Sequence, residues 1–239
     1  MSDIAVKERE EVFVMEQNAK VNLTSQEKNK RRTKFKIYYI FKRLFDILAS
    51  SLMLILLSPV FLIVSIMIRK EDKGKAFFKQ KRIGKNGKEI NIYKFRSMIV
   101  NAEQVLEEML ANDENIRNEY LTNKKLENDP RITKIGKFIR KTSIDELPQL
   151  INVLKGDMSL IGPRPYLFRE KDDMGEAYDY IITCRPGITG YWQVNGRSDT
   201  SFEERLELEK YYSQHINGWM DIKILCKTVG VVFKGKGAK

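Results

Sequence analysis

The sequence predicts an α+β chain, mainly helical, in which an apolar helix–break–helix precedes a small domain built on one β-hairpin. Three observations carry this reading. Residues 47–68 form a 22-residue run without a charge, long enough to cross a bilayer as a helix. Asn86-Gly87 stands between two strand-like segments, 76–83 and 89–95, and Asn-Gly is a strong hairpin signal. Beyond residue 100 the chain reads chiefly as helical segments in which charged and apolar positions recur at helical spacing.

The elements follow in chain order. Residues 1–36 are polar, and their second half is basic (Lys28, Lys30, Arg31, Arg32, Lys34, Lys36), so a flexible basic arm is expected. Residues 37–69 hold the apolar run. It is too long and too deep in the chain for a signal peptide, and it is apolar on every face, unlike a buried soluble helix. Basic residues flank it on both sides: Lys28 to Arg43 carries no acid, and Arg69 to Lys88 sets nine basic residues against Glu71 and Asp72. A crossing helix keeps its basic flank in the cytoplasm, so two basic flanks draw both ends to that side. Ser58-Pro59 sits mid-run, where proline removes a backbone donor and breaks the helix, with Ser58 at hand for a freed carbonyl. Two architectures remain open from the residues: a re-entrant hairpin and a kinked span.

Residues 70–239 read as one domain held at the membrane. After the hairpin, 102–126 reads as a helical, highly charged segment. Short helices at 134–141 and 147–154 flank the polar Thr142-Ser143-Ile144-Asp145-Glu146. Residues 202–215 form a helix with a Glu-rich face. In 219–233, Ile222, Leu225, Cys226, Val229, Val232 and Phe233 stand opposite Lys223 and Lys227. That helix either lies at a membrane interface with its lysines toward anionic headgroups, or closes the core.

Composition narrows the chemistry. The 239 residues carry 43 Lys and Arg against 32 Asp and Glu, a net charge of +11, which favours anionic partners. A single histidine, His215, and two cysteines, Cys184 and Cys226, leave no material for His-based or Cys-rich metal chemistry. Catalysis must then rest on carboxylates. No G-x-x-x-x-G-K-[ST] motif and no Asp-x-Asp pair occurs. Basic residues are not interleaved with aromatics along one element, so nucleic acid is not an expected partner.

The acids of interest are Asp145 and Glu146. Ser143 and Glu146 have capping-box spacing, but Pro148 then falls where it costs a helix bond. With Asp145 as the cap, both carboxylates crowd the positive end of a helix, next to Arg140 and Lys141, and Asp145 is expected to stay ionised. Such a carboxylate serves as a nucleophile or a Mg2+ ligand. Around it stand Tyr93-Lys94-Phe95-Arg96, Gly162-Pro163-Arg164-Pro165, Arg185-Pro186-Gly187 and Asn195-Gly196-Arg197. Arginine on a stiff Gly/Pro loop has its fork pre-aimed for phosphate.

Lys42-Arg43-Leu44-Phe45-Asp46, the run broken at Ser58-Pro59, Tyr93-Lys94-Phe95-Arg96-Ser97-Met98, Asp129-Pro130-Arg131, Arg140-Lys141-Thr142-Ser143-Ile144-Asp145-Glu146-Leu147-Pro148-Gln149, Gly156 through Pro165, Arg185 through Gly190, and Gln193-Val194-Asn195-Gly196-Arg197 occur in that order. This order resembles the bacterial sugar transferase family, the monotopic polyprenyl-phosphate phosphoglycosyl transferases, over about residues 40–239. The resemblance implies a re-entrant membrane hairpin at 37–69, broken at Ser58 and Pro59, and a cytosolic catalytic domain at 70–239. It also implies transfer of a sugar-1-phosphate from a UDP-sugar to polyprenyl phosphate, with UMP released, to begin a capsule, exopolysaccharide or O-antigen repeat. The same likeness makes Asp145 both the covalent nucleophile and a Mg2+ ligand, with Glu146 beside it. Lys94, Arg140, Arg164 and Arg197 match the family's phosphate and nucleotide contacts. Lys42, Arg43 and Asp46 are expected where the helix meets the interface, on the cytosolic face of the cytoplasmic membrane. A looser likeness, in Pro165-Tyr166-Leu167-Phe168-Arg169-Glu170 and the Gly-Lys-Gly-Ala tail, points to galactose or glucose. The sequence leaves open whether the chain forms a homo-oligomer.

Overall fold

The computed structural model describes residues 36–123, 126–196 and 200–234. Two compact units divide the chain, Met1–Phe45 and Asp46–Lys239. Of the expected basic arm, all but Lys36 lies outside the described residues. In the first unit the described residues are helical; Tyr38 and Tyr39 meet edge to face at 5.2 Å, and Lys42 lies 5.9 Å above the Tyr38 ring. Lys42 and Arg43 are both half-buried.

Helix α1 (Lys36–Leu56) gives way to α2 (Ser58–Asp72), and the pair is bent by 59° at Leu57. The bend has a local cause. Pro59 cannot donate to the Ile55 carbonyl four residues back, and the Ser58 hydroxyl donates to that same carbonyl at 2.8 Å. Among the described residues no single helix is long and apolar enough to cross a membrane, though the bent pair passes that test together. On α2 only Val64 and Ile68 are buried, against Phe95 and Ile139, with Phe61, Ile135 and Ile144 around them. Leu48, Leu52, Ile55, Leu56, Leu62 and Ile63 stay exposed, a continuous apolar surface that water does not favour.

The predicted hairpin forms. Strand β1 (Phe77–Ile83) pairs antiparallel with β2 (Glu89–Phe95), from Phe77 opposite Phe95 to Ile83 opposite Glu89. In the connecting turn Asn86 (φ 57°) and Gly87 (φ 75°) are both left-handed, the conformation that Asn and Gly tolerate best. Arg96, expected among the phosphate contacts, instead forks onto Asp72 and reaches the Lys75 and Met98 carbonyls, tying the end of α2 to β2.

The helical segment expected over 102–126 consists of two helices, α3 (Ala102–Asn112) and α4 (Glu114–Asn123). Asp113 makes the break, because its Oδ1 accepts from the Asn115 and Ile116 amides and caps a new helix. Helix α5 (Lys134–Lys141) is capped by Thr133, whose hydroxyl accepts from the Gly136 amide. Helix α6 (Gln149–Lys155) leads to β3 (Ser159–Ile161), which pairs in parallel with β4 (Gly187–Thr189). Between them lies α7 (Ala177–Ile181), and α8 (Tyr191–Asn195), α9 (Phe202–His215) and α10 (Gly218–Lys234) close the chain. Ile83, Tyr166, Met174, Ala177, Ile181 and Leu206 form a second core. Helix α10 buries Asp221 and Ile224, while Trp219, Ile222 and Val229 remain exposed, so one face closes the core and another is left bare.

Asp46 is a correction. Expected at the interface, it is 2% exposed, and its Oδ1 accepts from the Leu160 amide (2.9 Å) and the Ser159 hydroxyl (3.1 Å) of β3. Its carboxylate faces protein donors because β3 would otherwise leave them unsatisfied at its buried edge. Asp46→Ala should therefore lower stability by about 1–3 kcal/mol. Denaturant unfolding in detergent checks this, and an unchanged midpoint would mean that the contact contributes nothing.

Candidate active site

Residues Ile144–Glu146 form a single 3-10 turn between α5 and α6. Ser143 stops α5 by taking the left-handed conformation (φ 56°) and makes no side-chain cap, so the capping-box alternative is not used. Nor is Asp145 a helix cap. Pro148 occupies that position, and α6 begins at Gln149. Without a helix end to stabilise its charge, the Asp145 carboxyl is not held down as expected. Burial pushes it up to about 6, Lys94 opposes, Glu146 adds to the rise, and Arg140 opposes it again.

The neighbouring acid behaves in the opposite sense. Burial alone would raise Glu146, but Lys94, with Arg164 and Arg82 behind it, outweighs burial and holds the carboxyl below the ordinary glutamate value. The Lys94 ammonium donates to Glu146 Oε1 at 2.7 Å. Lys94 can do this because it continues the face of β2 that carries Ile90 and Ile92, side chains alternating along a strand. Arg140, at the end of α5, donates from Nε to the Ser97 hydroxyl at 2.8 Å.

Arg164 lies on the loop after β3, with its guanidinium 5.8 Å from the Trp192 ring centre. Its Nε is buried without a partner, and among the described residues no carboxylate pairs with the side chain. The loop is brought close to β4 by two glycines: a Cβ on Gly187 would collide with the Gly162 amide, and one on Gly162 with the Arg185 carbonyl. The structure thus gathers Lys94, Arg140, Asp145, Glu146 and Arg164 into one electrostatically linked group. Arg197, the other expected phosphate contact, lies outside the described residues.

With these positions fixed, comparison with known proteins is informative. The family model for bacterial sugar transferases matches residues 37–235. The chain belongs to the bacterial sugar transferase family. It is 49% identical over 199 residues to an uncharacterized sugar transferase of Haemophilus influenzae, covering 83% of this chain and 42% of that one. To the undecaprenyl-phosphate galactose phosphotransferase of Salmonella typhimurium it is 47% identical over 197 residues, covering 82% and 41%. To the exopolysaccharide production protein ExoY of Sinorhizobium fredii it is 40% identical over 199 residues, covering 83% and 88%. The chain therefore spans less than half the length of the first two relatives.

In this member of the family, sequence reasoning missed residues that act on the site from afar. Asn152 of α6 takes the open edge of β2: its Oδ1 accepts from the Tyr93 amide at 2.9 Å and its Nδ2 donates to the Asn91 carbonyl at 2.7 Å. Arg82 of β1 is buried and donates to the Pro165 carbonyl at 3.0 Å. Glu209, on the expected Glu-rich helix α9, is fully buried and accepts from the Arg164 amide at 2.9 Å. None of these has a local motif, since each partner is 45 to 83 residues away.

Burial pushes the Glu209 carboxyl up to about 7, against the Arg164 amide and the Arg164 and Arg205 charges. A carboxyl raised in the folded state contributes most at low pH and loses that contribution as pH rises from its unfolded value through 7. Glu209→Gln should thus match the parent in stability near pH 5 and exceed it at pH 8, by up to about 3 kcal/mol. Thermal unfolding at the two pH values checks this; parallel stability curves would contradict it.

Proposed function

We propose that this chain transfers a sugar-1-phosphate from a UDP-sugar to polyprenyl phosphate, beginning a capsule, exopolysaccharide or O-antigen repeat. Family membership and the Salmonella relative's printed activity support the reaction class, and the ExoY relative's name supports the exopolysaccharide role. The observation that carries the reading to residues is the division of labour in the acid pair. Lys94 occupies Glu146, and Asp145 is left as the carboxylate without a salt-bridge partner among the described residues.

In the first step an Asp145 oxygen attacks the phosphorus that bears the sugar. The bond from that phosphorus to the bridging oxygen breaks, and UMP leaves with the electron pair. In the second, a phosphate oxygen of polyprenyl phosphate attacks the same phosphorus, and the Asp145 carboxylate is released. With its carboxyl near 6, Asp145 is mostly ionised at neutral pH and sufficiently basic to attack. Both steps bring anions together, and Lys94, Arg140, Arg164 and Arg197 are assigned to offset that charge.

Asp145 and Glu146 also suit Mg2+, which is usually held by one or two carboxylates plus substrate phosphates. Asp145 is assigned as the ligand on the family likeness of its Asp-Glu pair. When bound, the ion would screen the phosphate charge.

The bent pair α1–α2 is assigned as a re-entrant hairpin on the cytosolic face of the cytoplasmic membrane. There a soluble UDP-sugar and a lipid phosphate can meet. The exposed apolar faces of both helices and the basic flanks support this. The sugar is assigned as galactose or glucose.

With UDP-galactose or UDP-glucose and no lipid, the protein should release about one equivalent of UMP and stop. Asp145→Asn should show no burst. UMP that appears only with polyprenyl phosphate would instead indicate direct transfer. Single cysteines at positions 44 and 70, in a background lacking Cys184 and Cys226, should label only from the cytosolic side; periplasmic labelling at either would contradict the hairpin.

A further inference from the structure

The backbone of residues 162–166 is held at five consecutive residues. The Gly162 amide donates to the Thr189 carbonyl at 2.9 Å, and the Pro163 carbonyl accepts from Gly187 at 2.8 Å. The Arg164 amide donates to Glu209 Oε1 at 2.9 Å. The Pro165 carbonyl accepts from Arg82 at 3.0 Å, and the Tyr166 carbonyl from the Ile83 amide at 2.9 Å. Pro163 and Pro165 have no amide hydrogen, so the Arg164 amide is the only backbone donor between them. Two of the five partners are charged side chains, both buried and both from other elements: Arg82 from β1 and Glu209 from α9. Neither reaches solvent well enough to bind substrate. Burying them is costly unless the contact they make matters.

We infer that Glu209 and Arg82 are positioning residues that clamp the Arg164 loop at two adjacent residues, Arg164 and Pro165, and so aim the Arg164 guanidinium at a substrate phosphate. This rests on the phosphate role assigned to Arg164 above. Among the described residues no carboxylate pairs with the guanidinium, which lies over Trp192 with its Nε unpartnered. An arginine fork recognises phosphate by geometry as well as charge, so a loop free to shift loses binding even though its charge remains. What the clamp needs from Glu209 is an acceptor oxygen at the Arg164 amide. Glutamine supplies that oxygen; leucine does not.

The test uses the full chain in nanodiscs and two readouts. Hydrogen exchange of the segment containing Arg164 reads the clamp without substrate. Steady-state UMP release, with UDP-sugar and polyprenyl phosphate, reads its consequence. Glu209→Leu should speed exchange of that segment and raise KM for the UDP-sugar about tenfold or more, with kcat within about threefold. Glu209→Gln should not speed exchange and should keep both constants within about threefold of the parent. Arg82→Met, which removes the bond to the neighbouring Pro165 carbonyl, should behave like Glu209→Leu and serves if that variant does not fold. If Glu209→Gln is as damaging as Glu209→Leu, or if Glu209→Leu and Arg82→Met change neither readout, the clamp is wrong. A parent protein that releases no UMP from any UDP-sugar would count against the proposed function, while hydrogen exchange would still decide the clamp.

Discussion

Lys94 reaches from β2 to Glu146 across 2.7 Å, and that contact decides which of two adjacent carboxylates is occupied. Two neighbouring acids in a half-buried turn repel each other, and a single cation between them cannot pair equally with both. Here it takes the second. Glu146 is held below its ordinary value, while burial carries Asp145 the other way, to about 6. The contact depends on β2 keeping its register, since a one-residue slip would turn Lys94 to the opposite face. Asn152 guards that register from α6, bonding both Asn91 and Tyr93 on the edge that β1 leaves open.

The same strand couples the acid turn to the apolar helices. Phe95 is buried with Val64 and Ile68 of α2 and Ile139 of α5, and Ile144, one residue before Asp145, rests on that cluster. Arg96 then ties β2 to Asp72 at the end of α2. A core shared by α2 and the acid turn fixes the distance between them within this unit.

What the sequence reveals and what it hides divide by range. Proline at 59 marks the bend, Asn86-Gly87 marks the hairpin, and the basic end of α5 marks its stop, because each effect acts within a turn or two. Asp113 was legible in principle, being a good cap in mid-helix, but the long charged pattern of 102–126 masked it. The Asp145-Glu146 pair was found from its charge and its neighbours, yet the direction in which Asp145 is shifted was not. Local sequence suggested a helix end, and tertiary burial overrode it. Asp46, expected at the interface, and Arg96, expected among the phosphate contacts, are tied to β3 and Asp72. Arg82, Asn152 and Glu209 carry no local signal at all, because the groups they satisfy lie far along the chain.

The central claim is that Lys94 leaves Asp145, rather than Glu146, to carry the phosphosugar. Mass-spectrometric mapping of protein quenched during exposure to UDP-sugar, without lipid, tests it most directly. The account predicts a hexose-phosphate adduct on Asp145 and an unmodified Glu146. An adduct on Glu146, or on neither residue while UMP is released, would contradict it.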